Sequence, residues 1–125
     1  MSRILIVEDN AKNMKLVRDL LQHRGHDTLE AEDGETGVAL ALSQRPELIL
    51  MDIQLPDISG VTALARIRED PALDAVPCLA VSASVMPDEQ QRIVASGFDG
   101  FIAKPISLKT FLAAVDAALS SGRKA

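Results

Sequence analysis

The sequence predicts an α/β fold, a doubly wound sheet of five parallel strands in the order 2-1-3-4-5 with helices on both faces. Three observations predict it. Short apolar runs alternate with stretches of helical periodicity along the whole chain, the pattern of βα units joined by right-handed crossovers. Two of the runs, Ile4-Leu5-Ile6-Val7 and Leu48-Ile49-Leu50-Met51, are continuous rather than alternating, as strands buried on both faces of a parallel sheet are. Both runs end in carboxylates, Glu8-Asp9 and Asp52, and open α/β sheets do their chemistry at the carboxyl ends of the strands, where the first and third lie side by side.

Each element has its own local reason. Ile4 to Val7 reads as the first strand, and Met14, Val17, Leu20 and Leu21 then recur at helical spacing until Gly25. Asp27 to Ala31 is a shorter, more polar strand suited to a sheet edge. Asp33-Gly34 opens a second helix with Val38, Ala41 and Leu42 on its inner face, and Pro46 ends it. After the strand that carries Asp52, Pro56 and Gly60 mark a loop, and Val61, Leu64 and Ala65 begin a third helix that stops near Asp70-Pro71. Pro77 to Val81 is a fourth strand of buried type, leaving through Ser82-Ala83-Ser84. Pro87, Asp88 and Glu89 start a fourth helix that runs through Ile93 and Val94 to Gly97. Gly100 to Ala103 is the fifth strand. After Lys104-Pro105, Ser107 caps a last helix with the apolar stripe Leu108, Phe111, Leu112, Val115 and Leu119.

Composition narrows the function classes. A chain of 125 residues with 47% hydrophobic content forms one domain with a sizeable core. No apolar run reaches membrane-spanning length and no signal-peptide core follows the N-terminus, so no membrane insertion and a cytoplasmic location are expected. The single Cys78, within Val76-Pro77-Cys78-Leu79-Ala80-Val81, reads as a small buried hydrophobe. With a net charge of -5, scattered Lys and Arg, and no Trp or Tyr, the chain offers neither a basic face nor stacking platforms for nucleic acid.

If Glu8, Asp9 and Asp52 converge at the switch point, they repel one another by about 1 kcal/mol per pair at 4 Å in water and about 4 kcal/mol at an effective dielectric of 20. A hard divalent cation such as Mg²⁺ neutralises such a cluster with oxygen ligands and keeps positions for phosphate oxygens. Lys104, leaving the fifth strand, supplies a second positive charge. A blander reading exists for each residue alone: Glu8 or Asp9 caps the first helix, Asp52 forms a turn, and Lys104 is a solvated lysine. An acid pair, a single Asp, a small hydroxyl residue and Lys-Pro all at strand exits make the joint reading the stronger one.

Val7-Glu8-Asp9-Asn10, Met51-Asp52-Ile53-Gln54-Leu55-Pro56 with Gly60, Val81-Ser82-Ala83 and Lys104-Pro105 together resemble the receiver domain of two-component response regulators, with its flavodoxin-like (βα)5 fold. The chain looks most like the single-domain DivK-like regulators of bacterial cell division and polarity. The resemblance implies a receiver domain over residues 1–119, a short tail over 120–125 and no output domain. It implies that Asp52 accepts a phosphoryl group from a histidine kinase or histidine phosphotransferase, and that a downstream protein target reads the result. Mg²⁺ would be held by Asp9, Asp52 and the Gln54 carbonyl, with Glu8 acting through water. Lys104 would add positive charge, Ser82 would donate a hydrogen bond to a phosphoryl oxygen, and Phe101 would change its packing with Ser82. The Lys104–Pro105 bond would be cis. Such a domain assists its own phosphorylation without being a turnover enzyme.

Two departures from the family pattern stand out: Glu8 where Asp is commoner, and Ser82 where Thr is commoner, without the β-methyl that stiffens the side chain. For the phosphodonor surface, the first turn of the first helix, Ala11 to Lys15 with Asn13 and Met14, and the Pro105-Ile106 segment flank the site. Met14 has a second reading as core. Two rivals remain at this point. An Asp-nucleophile Mg²⁺ phosphatase wants a second Asp two residues after the first, where Gln54 stands, and an interaction module would never be phosphorylated at all.

Overall fold

Leu5 and Val7, and Ile49 and Met51, point into one core layer, while Ile4 and Ile6, and Leu48 and Leu50, point into another. Alternation along a strand sends successive side chains to opposite faces, so a strand with an apolar layer on each side must be apolar throughout. In a computed structural model, which describes residues 2–83 and 86–121, these runs are the middle of a five-stranded sheet. The elements follow as β1 (Arg3–Val7), α1 (Ala11–His23), β2 (Asp27–Ala31), α2 (Gly34–Gln44), β3 (Leu48–Asp52), α3 (Gly60–Ile67), a 3-10 turn (Pro71–Leu73), β4 (Cys78–Ser82), α4 (Pro87–Ala95), β5 (Gly100–Ala103) and α5 (Leu108–Ser121). The sheet order is β2-β1-β3-β4-β5 and every pairing is parallel. Residues of α2, α3 and α4 cover one face, with Val38, Ala41, Leu64, Ile67 and Ile93, and α1 and α5 cover the other, with Met14, Val17, Leu21, Phe111 and Val115. Cys78 is buried, as its apolar setting requires.

Several details depart from the sequence pattern. Leu42 is 39% exposed and Leu108 56% exposed. In α2 the covered face is Gly34, Gly37, Val38 and Ala41; a Cβ on Gly37 would come within 2.8 Å of Val7 Cγ2, so the helix seats itself on glycine and turns Leu42 outward. Leu108 stands on the first turn of α5, and because helical side chains lean towards the N-terminus it overhangs the helix end while the stripe proper begins at Phe111. The third helix stops at Ile67 with Ala63, not Ala65, in the core. Asp70 and Pro71 then form the separate 3-10 turn, Asp70 accepting from the Ala72 amide at 2.9 Å. The last helix runs through Ser120 and Ser121, past the boundary expected at 119. The rest of the expected tail, 122–125, and Ser84 lie outside the described residues.

The loop between β3 and α3 is tied to its surroundings at three places. At its start the Gln54 amide donates to Asp52 Oδ1 at 3.0 Å, and at its end the Gly60 amide donates to the Ile53 carbonyl at 2.9 Å. Gly60 is required there, because a Cβ would stand 2.4 Å from the Asp52 carbonyl oxygen. In the middle, the two oxygens of Asp57 accept the amides of Gly34 and Glu35, each at 2.8 Å, at the first turn of α2. Asp33 takes the Thr36 amide at 2.7 Å. Three of the amides that a helix start leaves without partners are thus satisfied, two of them from a loop more than twenty residues away.

Desolvation pushes the Asp57 carboxyl up, but the amide donors of Glu35, Gly34 and Ile58 outweigh it and hold the group down at about 2, against an ordinary 3.8. A carboxyl depressed in the folded state stabilises the fold above its unfolded value and loses that contribution as pH falls through the folded one. The stability difference between the wild type and Asp57→Ala is therefore expected to be constant above pH 3.8 and to shrink towards pH 2. Thermal melts followed by far-UV circular dichroism across that range check it; a difference that stays constant down to the lower limit would show that Asp57 acts without its charge.

Candidate phosphoryl-acceptor and metal site

The carboxyl ends of β1, β3 and β4 and the exit of β5 meet at one edge of the sheet. Val7 pairs with Met51, Asp52 with Val81, and Ser82 with Ala103, so Glu8, Asp52, Ser82 and Lys104 follow one another across the strand ends. Glu8 extends the ladder one step past β1, its amide donating to the Ala31 carbonyl at 2.9 Å, which buries it to 3% exposure beside Asp52 and Ser82, each at 4%. Asp9, one residue further, is exposed. Neither acid caps α1: Asn10 does, its Oδ1 accepting the amides of Lys12 and Asn13 at 3.0 and 3.1 Å. The carboxylates are thereby left for other work.

Lys104 Nζ lies 3.0 Å from Glu8 Oε1 and 2.9 Å from Asp52 Oδ2, with the lysine side chain 17% exposed. The Lys104–Pro105 peptide is cis, and the Lys104 amide donates to the Ser82 carbonyl at 2.9 Å. The remaining Glu8 oxygen, Oε2, accepts the Asn10 amide at 3.1 Å. Burial raises the Glu8 pKa, and the neighbouring Asp52 raises it further against the pull of Lys104 and the Asn10 amide. For Lys104, burial works to lower the pKa, but the hydrogen bonds to Asp52 and Glu8 outweigh it and the ammonium is held above its ordinary value. One oxygen from each of Glu8, Asp9 and Asp52 lies within 4.8 Å of the others. Three carboxylates against one ammonium leave a surplus of negative charge, and an all-oxygen donor set with one exposed member suits a hard divalent cation that keeps part of its water shell.

The family model of the response regulator receiver domain matches this chain over residues 4–116. The chain belongs to the response regulator receiver family. Its relatives include the polar-differentiation response regulator DivK of Brucella anthropi, 42% identical over 109 residues spanning 87% of this chain and 89% of that protein. DivK of Brucella ovis is 41% identical over the same shares. Among solved structures, the receiver domain of the sensor histidine kinase PA1611 of Pseudomonas aeruginosa superposes with a TM-score of 0.89 at 28% identity, covering 96% of this chain and 98% of that one; it was determined with a magnesium ion coordinated in its active-site cleft. The chemotaxis response regulator CheY4 of Vibrio cholerae superposes with a TM-score of 0.90 at 26% identity, covering 95% and 99%. Receiver domains are signalling modules, and no described helix of this one is long and apolar enough to cross a membrane.

Of the residues singled out in the sequence, the receiver fold brings Glu8, Asp9, Asp52 and Lys104 into one cluster, with Gln54 bonded to Asp52. Phe101 is half-buried, packed against the core on the α2–α4 side and bordering a 260 Å³ cleft shared with Leu79 and with Ala114, Ala117 and Ala118 of α5. Met14 takes the second of its two readings: it is 6% exposed and belongs to the core under α1, because the face of α1 that carries Val17 and Leu21 carries Met14 too. Asn13 and Ile106 are partly exposed and Pro105 is exposed. Sequence reasoning gave Asn10 and Asp57 no role. Asn10 followed two acids that were candidates for the same cap, and the bonding partners of Asp57 lie 22 and 23 residues away.

Proposed function

We propose that this receiver domain takes a phosphoryl group onto Asp52 from a histidine kinase or histidine phosphotransferase in the cytoplasm, and passes the signal to a protein target through Ser82 and Phe101. The observation that carries the proposal is the buried Asp52 carboxylate, held by the Gln54 amide and Lys104 beside two further carboxylates. An oxygen of Asp52 attacks the phosphorus of a phosphohistidine; the new P–O bond forms as the P–N bond breaks, and the imidazole leaves with the electron pair. Lys104 follows the charge onto the phosphoryl oxygens, since its ammonium already sits on Asp52. Asp9, Asp52 and the Gln54 carbonyl would hold Mg²⁺, with Glu8 through water, and the ion supplies neutralisation of the phosphoryl oxygens. A phosphatase of the haloacid dehalogenase type is disfavoured by Gln54, which puts an amide where that chemistry needs a second acid. The likeness to DivK over most of the chain supports a role in cell division or polarity.

The metal part is tested by melting temperature against Mg²⁺. A ligand at a hundredfold excess over its Kd stabilises by about 2.7 kcal/mol. The wild type is expected to show a saturable rise, Asp9→Ala to lose most of it, and Glu8→Ala to keep more. A full response in Asp9→Ala would remove Asp9 from the ligand set.

The switch part is tested at Ser82. Its hydroxyl donates to a phosphoryl oxygen only in the phosphorylated state, a charge-assisted bond of about 1.5–3 kcal/mol, or about a ten- to hundredfold shift between two packings. Ser82→Ala is expected to accept phosphate and to lose the change in target affinity at matched phosphorylation. A wild-type change in affinity would send the signal by another route.

A further inference from the structure

We infer that Asp57 is a positioning residue for the metal site: by fastening the middle of the β3–α3 loop to the first turn of α2, it holds the Gln54 carbonyl where a metal ion needs it. The inference rests on the reading of Gln54 as a ligand through its backbone. A backbone ligand can be only as well placed as the loop that carries it, and metal sites depend on the groups that orient their ligands. Among the described residues, the hydrogen bonds that tie residues 55–58 to another element run through the Asp57 carboxylate, one oxygen to Gly34 and the other to Glu35. Packing reinforces the same contact: a Cβ on Gly34 would come within 2.4 Å of Ile58 Cγ1 and 3.2 Å of Asp57 Oδ1, so the loop lies directly on the helix start. Arg66 of α3 pairs with Glu35 of α2 and closes the same seam from the other end of the loop. The site end of the loop is held separately, by the Gln54 amide on Asp52 Oδ1 at 3.0 Å and the Ile53 amide on the Val81 carbonyl at 3.3 Å. Release of Asp57 would leave the middle of the loop, residues 55–58, without its hydrogen bonds to α2, and Gln54 would be held by the bonds at the ends of the loop alone.

Calorimetric titration with Mg²⁺ alone separates positioning from mere stability. Asp33→Ala removes the other side-chain cap of α2 without touching the loop, and Asp57→Asn keeps the shape and one acceptor. With folding confirmed by circular dichroism, Asp57→Ala is expected to bind Mg²⁺ about tenfold more weakly than the wild type. Asp57→Asn is expected to fall between them and Asp33→Ala to stay within about twofold of the wild type. Equal weakening by Asp33→Ala and Asp57→Ala, or wild-type affinity in Asp57→Ala, would overturn the inference while leaving the metal site standing. A wild type that binds no Mg²⁺ would overturn both.

Discussion

Asp52→Asn is expected to abolish phosphoryl incorporation from acetyl phosphate while leaving the metal-free fold at least as stable as the wild type. The amide keeps the side chain's shape and its acceptor for the Gln54 amide, yet it is no nucleophile. The stability half of the expectation comes from charge. Glu8 and Asp52 share a single ammonium, and Asp9 brings a third carboxylate within 4.8 Å. At an effective dielectric of 20, each like-charge pair at 4 Å costs about 4 kcal/mol, so removing one member relieves more than it removes. Lys104 retains Glu8. Intact mass after incubation reads the first half and a thermal melt the second. An Asn variant that takes up phosphate would move the acceptor, and one that melts well below the wild type would mean that the Asp52–Lys104 pair outweighs the repulsion.

Lys104→Met is expected to have the opposite effect on stability. Methionine matches the stem but leaves Glu8 and Asp52, both nearly inaccessible to solvent, without the cation that bridges them. Breaking a buried pair by removing one partner costs about 3–5 kcal/mol because a buried charge is left uncompensated. The deficit should narrow as pH falls from neutrality towards the carboxylate range. Glu8, whose pKa burial and Asp52 already raise, takes up a proton more readily in the folded state than in the unfolded one, and folding is then favoured by acid. Mg²⁺ should recover part of the loss, since it meets the same surplus of negative charge. With three Phe and no Trp or Tyr, far-UV circular dichroism rather than fluorescence is the suitable probe. A deficit below about 1 kcal/mol, or one that grows on acidification, would show that Lys104 is not the counter-ion of the buried acids.

Much of this was legible in the chain. The sheet order and the convergence of Glu8, Asp9 and Asp52 followed from continuous apolar strands that end in acids, because a parallel sheet buried on both faces leaves few arrangements. What escaped depended on contacts between distant residues or on one helical step. Leu42 lies 100° round the helix from Ala41, and only the seating of Gly37 against Val7 decides which of them is covered. Met14 sat equally well on a surface or in a core until the rotation of α1 was known. The clamp of Asp57 on α2 has no signature in the Pro-Asp-Ile-Ser-Gly segment, since its donors are backbone amides that any residue supplies.

The central claim is that Asp52 accepts the phosphoryl group with help from a metal held by its neighbours. Borohydride reduction, which converts an aspartyl phosphate to homoserine, followed by peptide mapping of the acetyl phosphate-treated protein, tests it most directly. The account predicts homoserine at position 52 alone, formed with Mg²⁺ present and lost when the metal is chelated. Homoserine at another carboxylate, the same yield at position 52 without metal, or no conversion anywhere would contradict it.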